Sequence, residues 1–337
     1  YLEAPTVSFT GGGGSGAAAV AALGPNGAGA LAFIGPNDTA IERLTNFDGE
    51  VQACGGNVVI SSVATADPGM PEVSAVRVSG GALQVGSGTS AADNALDNLI
   101  NPAASLFLGG DHGGGTYRQM CGPADNVHSQ YFGAIQVNTG KSVLESGGVS
   151  VTQGDRSRLA LLCTDQFDRE AGGVIEAASA HLANFDVKTG ASHFFGTAHP
   201  ILAGVFRGEA AGFLTLSPEG AWTPLELLDE DDFDFDKNYQ MTSANLTFTA
   251  TASAANSLRL ADGAQFTFGA AGTTVVGSGM VTVDDGQNGA VINGGAMTSG
   301  NGRDLIIYDR HTDNSQRFNR RNVNTPNATL TIGAQIV

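Results

Sequence analysis

Leu108-Gly109-Gly110-Asp111-His112-Gly113-Gly114-Gly115-Thr116-Tyr117 sets a carboxylic acid beside an imidazole on a glycine-rich stretch. Such a pair could transfer protons as an acid and a base, or hold a metal ion. The glycines resemble a phosphate-cradling loop, but no Lys-Ser/Thr follows and no G-x-G-x-x-G lies between a strand and a helix. The competing reading is a turn with a polar tip. His193 and His199, with His181 upstream, fit no standard metal spacing. Asp232, Asp234 and Asp236 alternate as calcium-loop oxygens would, yet Phe233 and Phe235 fill the gaps and no glycine is present. The same five residues read as a strand with Phe inward and Asp outward. Asp284-Asp285-Gly286-Gln287-Asn288-Gly289 reads as a hairpin or coil turn. Arg310, Arg317, Arg320 and Arg321, with Arg303 before them, form a cationic cluster on an acidic chain. They suit a docking contact with an acidic neighbouring subunit or an anionic sugar, or else intramolecular ion pairs.

Signatures of familiar enzymes are missing. There is no G-x-S-x-G elbow, no H-E-x-x-H and no Walker motif. A glycan-cleaving site needs two carboxylates at a set separation, and 33 acidic residues offer too many pairs for the sequence to choose one. No catalytic residue is assigned and no cofactor is implied beyond a Ca2+ or axial metal ion.

The elements that would position these groups follow from composition. Gly accounts for 48 of 337 residues, and charged residues for 15% against roughly 25% in ordinary soluble domains. Lys141, Lys188 and Lys237 are the only lysines. Helical surfaces are normally filled with Glu, Lys and Arg. This chain uses Gly, Ser, Thr, Asn and Asp, which favour turns and therefore many short strands. A hydrophobic share of 42% is enough to build a core and excludes wholesale disorder. A net charge of −17 repels phosphates and argues against nucleic-acid binding. Ala4 to Asn37 is uncharged but interrupted by Gly and by Pro25-Asn26, so no membrane insertion is expected. Cys54, Cys121 and Cys163 form neither a disulfide framework nor a zinc motif, and are expected to be buried and reduced. The start at Tyr1, without Met or a leader, suggests a piece of a longer or processed polypeptide.

Short apolar blocks separated by glycine-rich turns recur from Asn57 onward, among them Val58–Ile60, Leu83–Val85, Ala134–Val137, Leu159–Leu162 and Phe213–Leu216. Helical spacing is confined to Ser90 to Ile100 and, more faintly, Glu176 to Phe185. Seven acidic residues between Glu226 and Asp236 should repel one another and stay solvated, which places a boundary there. The expected organisation is a glycine-rich segment over 1–35, a β-rich domain over 36–228, an acidic linker over 229–238 and a β-rich domain over 239–337. The fold class is mostly β, with β-helix, sandwich or jelly-roll domains. Many short strands leave open edges, and three intertwined or stacked copies would cover them.

The opening pattern, Tyr1 through Pro5-Thr6-Val7, Phe9, Gly11 to Gly14, Gly16 and the alanine run, resembles a glycine-rich repeat of bacteriophage tail fibres and other virion appendages. Segments such as "LRLADGAQFTFG" and "GMVTVDDGQNGAVINGG" resemble coils of the parallel β-helices in autotransporter passengers and phage tailspikes. The resemblance implies an elongated homotrimeric tail fibre, tailspike or head fibre on the virion, partnered by other virion proteins and by a host-surface glycan or protein. In such fibres, histidines such as His193 and His199 can line a trimer axis around an ion. A glycan-degrading tailspike enzyme and a bacterial adhesin or surface-layer protein are the alternatives.

Overall fold

The computed structural model of the chain describes residues 19–23, 29–41, 44, 47–60, 69–86, 98–121, 128–148, 159–178, 185–187, 194–196, 200–207, 212–216, 222–225, 237–241, 246–247, 252–261, 264–267, 273–285, 290–311, 331–332 and 335–336. Among them every regular element is a strand and none is a helix. The chain falls into two compact units, Tyr1–Gly190 with Ser217–Thr223, and Ala191–Leu216 with Pro224–Val337.

In the first unit, strands alternate between two sheets. One sheet takes β1 (Ala19–Leu23), β2 (Gly29–Phe33), β4 (Glu50–Ala53), β6 (Ala75–Val78), β8 (Ser105–Leu108), β10 (His128–Val137), β12 (Leu159–Arg169) and β14 (Phe185–Val187). The other includes β3 (Thr39–Ile41), β5 (Asn57–Ile60), β7 (Ala82–Val85), β9 (Thr116–Cys121), β11 (Gly140–Gly148) and β13 (Gly173–Ala178). Apart from the antiparallel β1–β2 pair, each strand lies parallel to the one two places along the chain. The chain therefore proceeds in coils, one strand in each sheet and a corner between them.

Strict alternation puts one row inside at every level. Leu31, Val51, Val76, Leu106, Ile135 and Phe167 stack in register across β2, β4, β6, β8, β10 and β12, and all are buried. Val58, Leu83, Tyr117, Leu144 and Ala177 form the facing row. Edge-to-face contacts join Tyr117 to Phe132 (5.5 Å) and Phe167 to Trp222 (5.9 Å) across this core.

Backbone bonds at the corners repeat the stacking. Cys54 N–H donates to Phe33 O at 3.0 Å, Ser79 to Ala53 at 3.0 Å, Gly109 to Val78 at 2.8 Å, Asn138 to Leu108 at 2.7 Å and Glu170 to Val137 at 2.9 Å. Corner glycines make these turns possible. Gly109 has φ of 83°, and a Cβ there would sit 2.8 Å from Thr139 O and 2.9 Å from Asn138 O. On the outside, Glu50 pairs with Arg77 at 2.6 Å, Arg118 with Glu145 at 2.9 Å and Lys141 with Glu176 at 2.6 Å, each between successive strands of one sheet. Exposed pairs of this kind contribute about 0–1 kcal/mol each. Their greater effect is on register, because a one-residue slip turns each partner to the opposite face.

The second unit repeats the alternation. β20 (Asn238–Met241), β22 (Ala252–Leu260), β24 (Thr273–Asp285), β26 (Ala296–Ser299), β27 (Ile306–His311) and β29 (Gln335–Ile336) share one sheet. β21 (Leu246–Thr247), β23 (Gln265–Thr267), β25 (Val291–Asn293) and β28 (Thr331–Ile332) share the other, and all pairings in both are parallel. Its core gathers Tyr239, Leu258, Leu260, Phe266, Val276, Val281, Val283, Ile292 and Met297. The antiparallel pairs β15 (Phe194–Phe195) with β16 (Ile201–Leu202) and β17 (Val205–Arg207) with β18 (Gly212–Leu216) precede them. Phe206 of β17 stacks on Tyr308 of β27 with ring centroids 4.6 Å apart. β19 (Trp222–Pro224) spans the chain position where one unit gives way to the other.

The mostly β expectation holds, and two helical expectations are corrected. Gly173–Ala178 is a strand with Gly173, Ile175 and Ala177 inside, so no helix begins at Glu176. Burial of alternate side chains overrides helical propensity there. Of Ser90 to Ile100, only Asn98 to Ile100 lies within the described residues. Asn98 has φ of 51° and Ile100 bridges Met70, so no helix runs through this end. Buried Gln130 holds the corner instead, accepting from Ile100 N at 3.1 Å and donating to Ile100 O at 2.9 Å. Asp232, Asp234 and Asp236, and the rest of the acidic run, lie outside the described residues.

The alternation predicts that Leu106→Ala lowers unfolding free energy by about 2–5 kcal/mol, whereas Ser105→Ala, one residue away and half-buried, changes it by less than about 0.5 kcal/mol. Chemical denaturation followed by circular dichroism measures both.

Candidate functional site

The outward residues of the first sheet also stack. Gln52, Arg77, Phe107, Gln136 and Asp168 stand in register on β4, β6, β8, β10 and β12. The first four of these, together with the adjoining corners, line a groove of about 540 Å3, whose wall includes Cys54, Asn138, Asp111, His112 and Glu170. The groove crosses several coils, so residues far apart in sequence meet along it.

Arg77 is held from two sides. Arg77 Nε donates to Glu50 Oε1 at 2.6 Å, and the guanidinium lies 4.5 Å from the centroid of Phe107. Gln52 Nε2 donates to the same Glu50 oxygen at 2.9 Å. Cys54 is a free thiol here, half-buried rather than buried as expected. Burial pushes its pKa up; Arg77 pulls it down, and Glu50 pushes it up further. The net effect keeps the thiol protonated and a poor nucleophile at neutral pH.

The Asp111-His112 tip is the rim. Gly109, Gly110 and Gly113 take φ of 83°, 138° and 87°, which lets the chain leave β8, turn out and return to β9. The loop is tied to both neighbouring coils. His112 N–H donates to Ser79 Oγ at 3.1 Å, Ser79 Oγ donates to Gly113 O at 3.2 Å, and Gly80 N–H donates to Gly114 O at 2.9 Å. On the other side Gly110 N–H donates to Thr139 O at 3.2 Å, and Gly115 N–H donates to Ser142 Oγ at 3.2 Å. Ser79 and Ser142 are themselves buried. The two exposed side chains, Asp111 and His112, thus stand on a loop bonded along its length. The pair is a turn with a polar tip, and that tip borders a groove that also holds a second carboxylate, Glu170.

Most of the other sequence candidates cannot be placed relative to this site. His193, His199, Arg317, Arg320 and Arg321 lie outside the described residues. Arg310 lies on β27, in register with Asp284 of β24, in the second unit. No three His, Cys, Asp or Glu side chains converge as a metal cluster among the described residues. Sequence reasoning found the Asp111-His112 loop and missed Gln52, Arg77, Phe107, Gln136 and Glu170. Their shared signal is position relative to the corner, which emerges only once coils of unequal length are aligned. Searches of protein-family models, curated proteins and solved structures find no match to this chain.

Because Ser79 Oγ both accepts from and donates to the loop, Ser79→Ala is expected to speed amide exchange at His112 by about tenfold, the equivalent of a hydrogen bond worth about 1.4 kcal/mol. Exchange at buried Leu106 is expected to stay nearly unchanged, and hydrogen–deuterium exchange read by mass spectrometry measures both.

Proposed function

We propose that the chain is a virion appendage protein, a phage tail fibre, tailspike or head fibre that attaches to a host-surface glycan, and that its two units are parallel β-helices in an elongated homotrimer. The observation that carries this reading is the groove across successive coils, lined by amides, a guanidinium and carboxylates under the Gly109–Gly115 loop. A saccharide presents many hydroxyls along a repeating chain. A face of stacked polar side chains repeating at about 4.8 Å meets such a ligand with several hydrogen bonds at once. Glycine-rich coils also suit a shaft, because each new coil adds its own backbone bonds to the last.

Asp111 and Glu170 on one groove favour glycan cleavage as a second reading. Two carboxylates flanking a bound glycosidic bond are the usual acid and base, or acid and nucleophile, of its hydrolysis. Glu170→Gln would then abolish release of reducing ends.

Labelled protein should bind bacteria that display a recognised surface polysaccharide and lose that binding when the polysaccharide is stripped. Gln136→Ala, which removes one amide from the floor, is expected to weaken binding about tenfold, or about 1.4 kcal/mol. Binding that ignores stripping of the polysaccharide would refute glycan attachment.

A further inference from the structure

We infer that the groove of the first unit selects an amino-sugar glycan and rejects acidic sugars such as uronates; this rests on the glycan-attachment reading above. The argument is one of charge. Arg77 is the sole Lys or Arg among the described residues lining the groove, and its charge is already engaged by Glu50 at 2.6 Å and by the Phe107 ring at 4.5 Å. The carboxylates of Asp111 and Glu170 line the same groove, and both residues are exposed. With Glu50 bound to Arg77, the described side chains in and beside the groove set three carboxylates against one guanidinium and the His112 imidazole. A uronate entering here would meet like charge, and among the described lining residues only the exposed His112 imidazole is left to answer it.

A nitrogen substituent meets the opposite situation. A protonated sugar amine would donate to Asp111 or Glu170 in a charge-assisted bond, and an acetamido N–H would donate to either carboxylate without the charge. Gln136 and Asn138 add amide oxygens and N–H groups along the floor. Asn138 Nδ2 reaches Gly109 O at only 3.4 Å, a long bond that a ligand oxygen would replace. The whole chain carries −17, so the wider field adds to the preference and steers cations toward it.

Three tetrasaccharides separate the possibilities: a glucosamine oligomer, its N-acetylated form and an oligogalacturonate, each titrated into the intact protein by calorimetry at low salt. The expected order is amine tightest, acetamide next and uronate weakest, with about tenfold or more between first and last. Salt at about 0.5 M should compress that spread, as screening requires. Asp111→Asn with Glu170→Gln, both exposed positions that the fold does not need, should reduce amine affinity and raise uronate affinity. Uronate binding equal to or tighter than acetamide overturns the inference, as does an order unchanged in the double variant. Attachment to stripped and unstripped cells is scored in parallel. Polysaccharide-dependent attachment with none of the three sugars bound defeats the inference alone, whereas polysaccharide-independent attachment defeats the reading beneath it.

Discussion

Everything in the first unit depends on each coil landing in register on the one before. A parallel strand satisfies its backbone only if a neighbour supplies N–H and C=O groups along its whole edge, and here the neighbour is the preceding turn of the same chain. The corner bonds extend that ladder beyond the strands, from Phe33 through Ala53, Val78 and Leu108 to Val137. Once the ladder is set, the period of two decides which side chains go inside, and the inner row of Leu31, Val51, Val76, Leu106, Ile135 and Phe167 follows. A shift by one residue would bury Gln52, Arg77 and Gln136 and expose that row.

The same constraint makes the groove. Stacking in register lines up outer side chains as strictly as inner ones, so Gln52, Arg77, Phe107 and Gln136 become one surface although they span 84 positions of sequence. The coils need not be equal in length, since excess residues leave at the corners. Gly109–Gly115 is such an excess, and its bonds to Ser79, Gly80, Thr139 and Ser142 turn a protrusion into a fixed rim. Core and site are therefore two faces of one packing rule, and a change that loosens stacking at the corner should reach both.

The strand character of the chain was legible because glycine-punctuated apolar blocks such as Val58–Ile60 and Leu83–Val85 are short and bounded by turns. The pairing was not, because the offset between successive strands varies: Ala30 pairs with Glu50, Glu50 with Ala75 and Ala75 with Ser105. Without a constant period, no repeat announces itself. Leu106-Phe107-Leu108 hides its alternation, since Phe107 is apolar yet faces out beneath Arg77. Glu176 misled in the other direction: its charge and the alanines after it suit a helix, while its partner Lys141 lies on the next strand over. The Asp111-His112 pair stood out because acid and imidazole among glycines are unusual. Glu170, ordinary in sequence, gained meaning only from the corner it shares with Asn138 and Thr139.

The most direct test of stacked, in-register coils is a distance across several of them. Val59, Gln84, Arg118, Glu145 and Ala178 occupy one outward row on β5, β7, β9, β11 and β13. Spin labels at Val59 and Ala178, 119 positions apart, should give a single narrow distance of about 19 Å in pulsed electron resonance, four strand spacings of about 4.8 Å. A distance well beyond 30 Å, or a broad distribution, would contradict the stacking on which the core, the groove and the proposed attachment all rest.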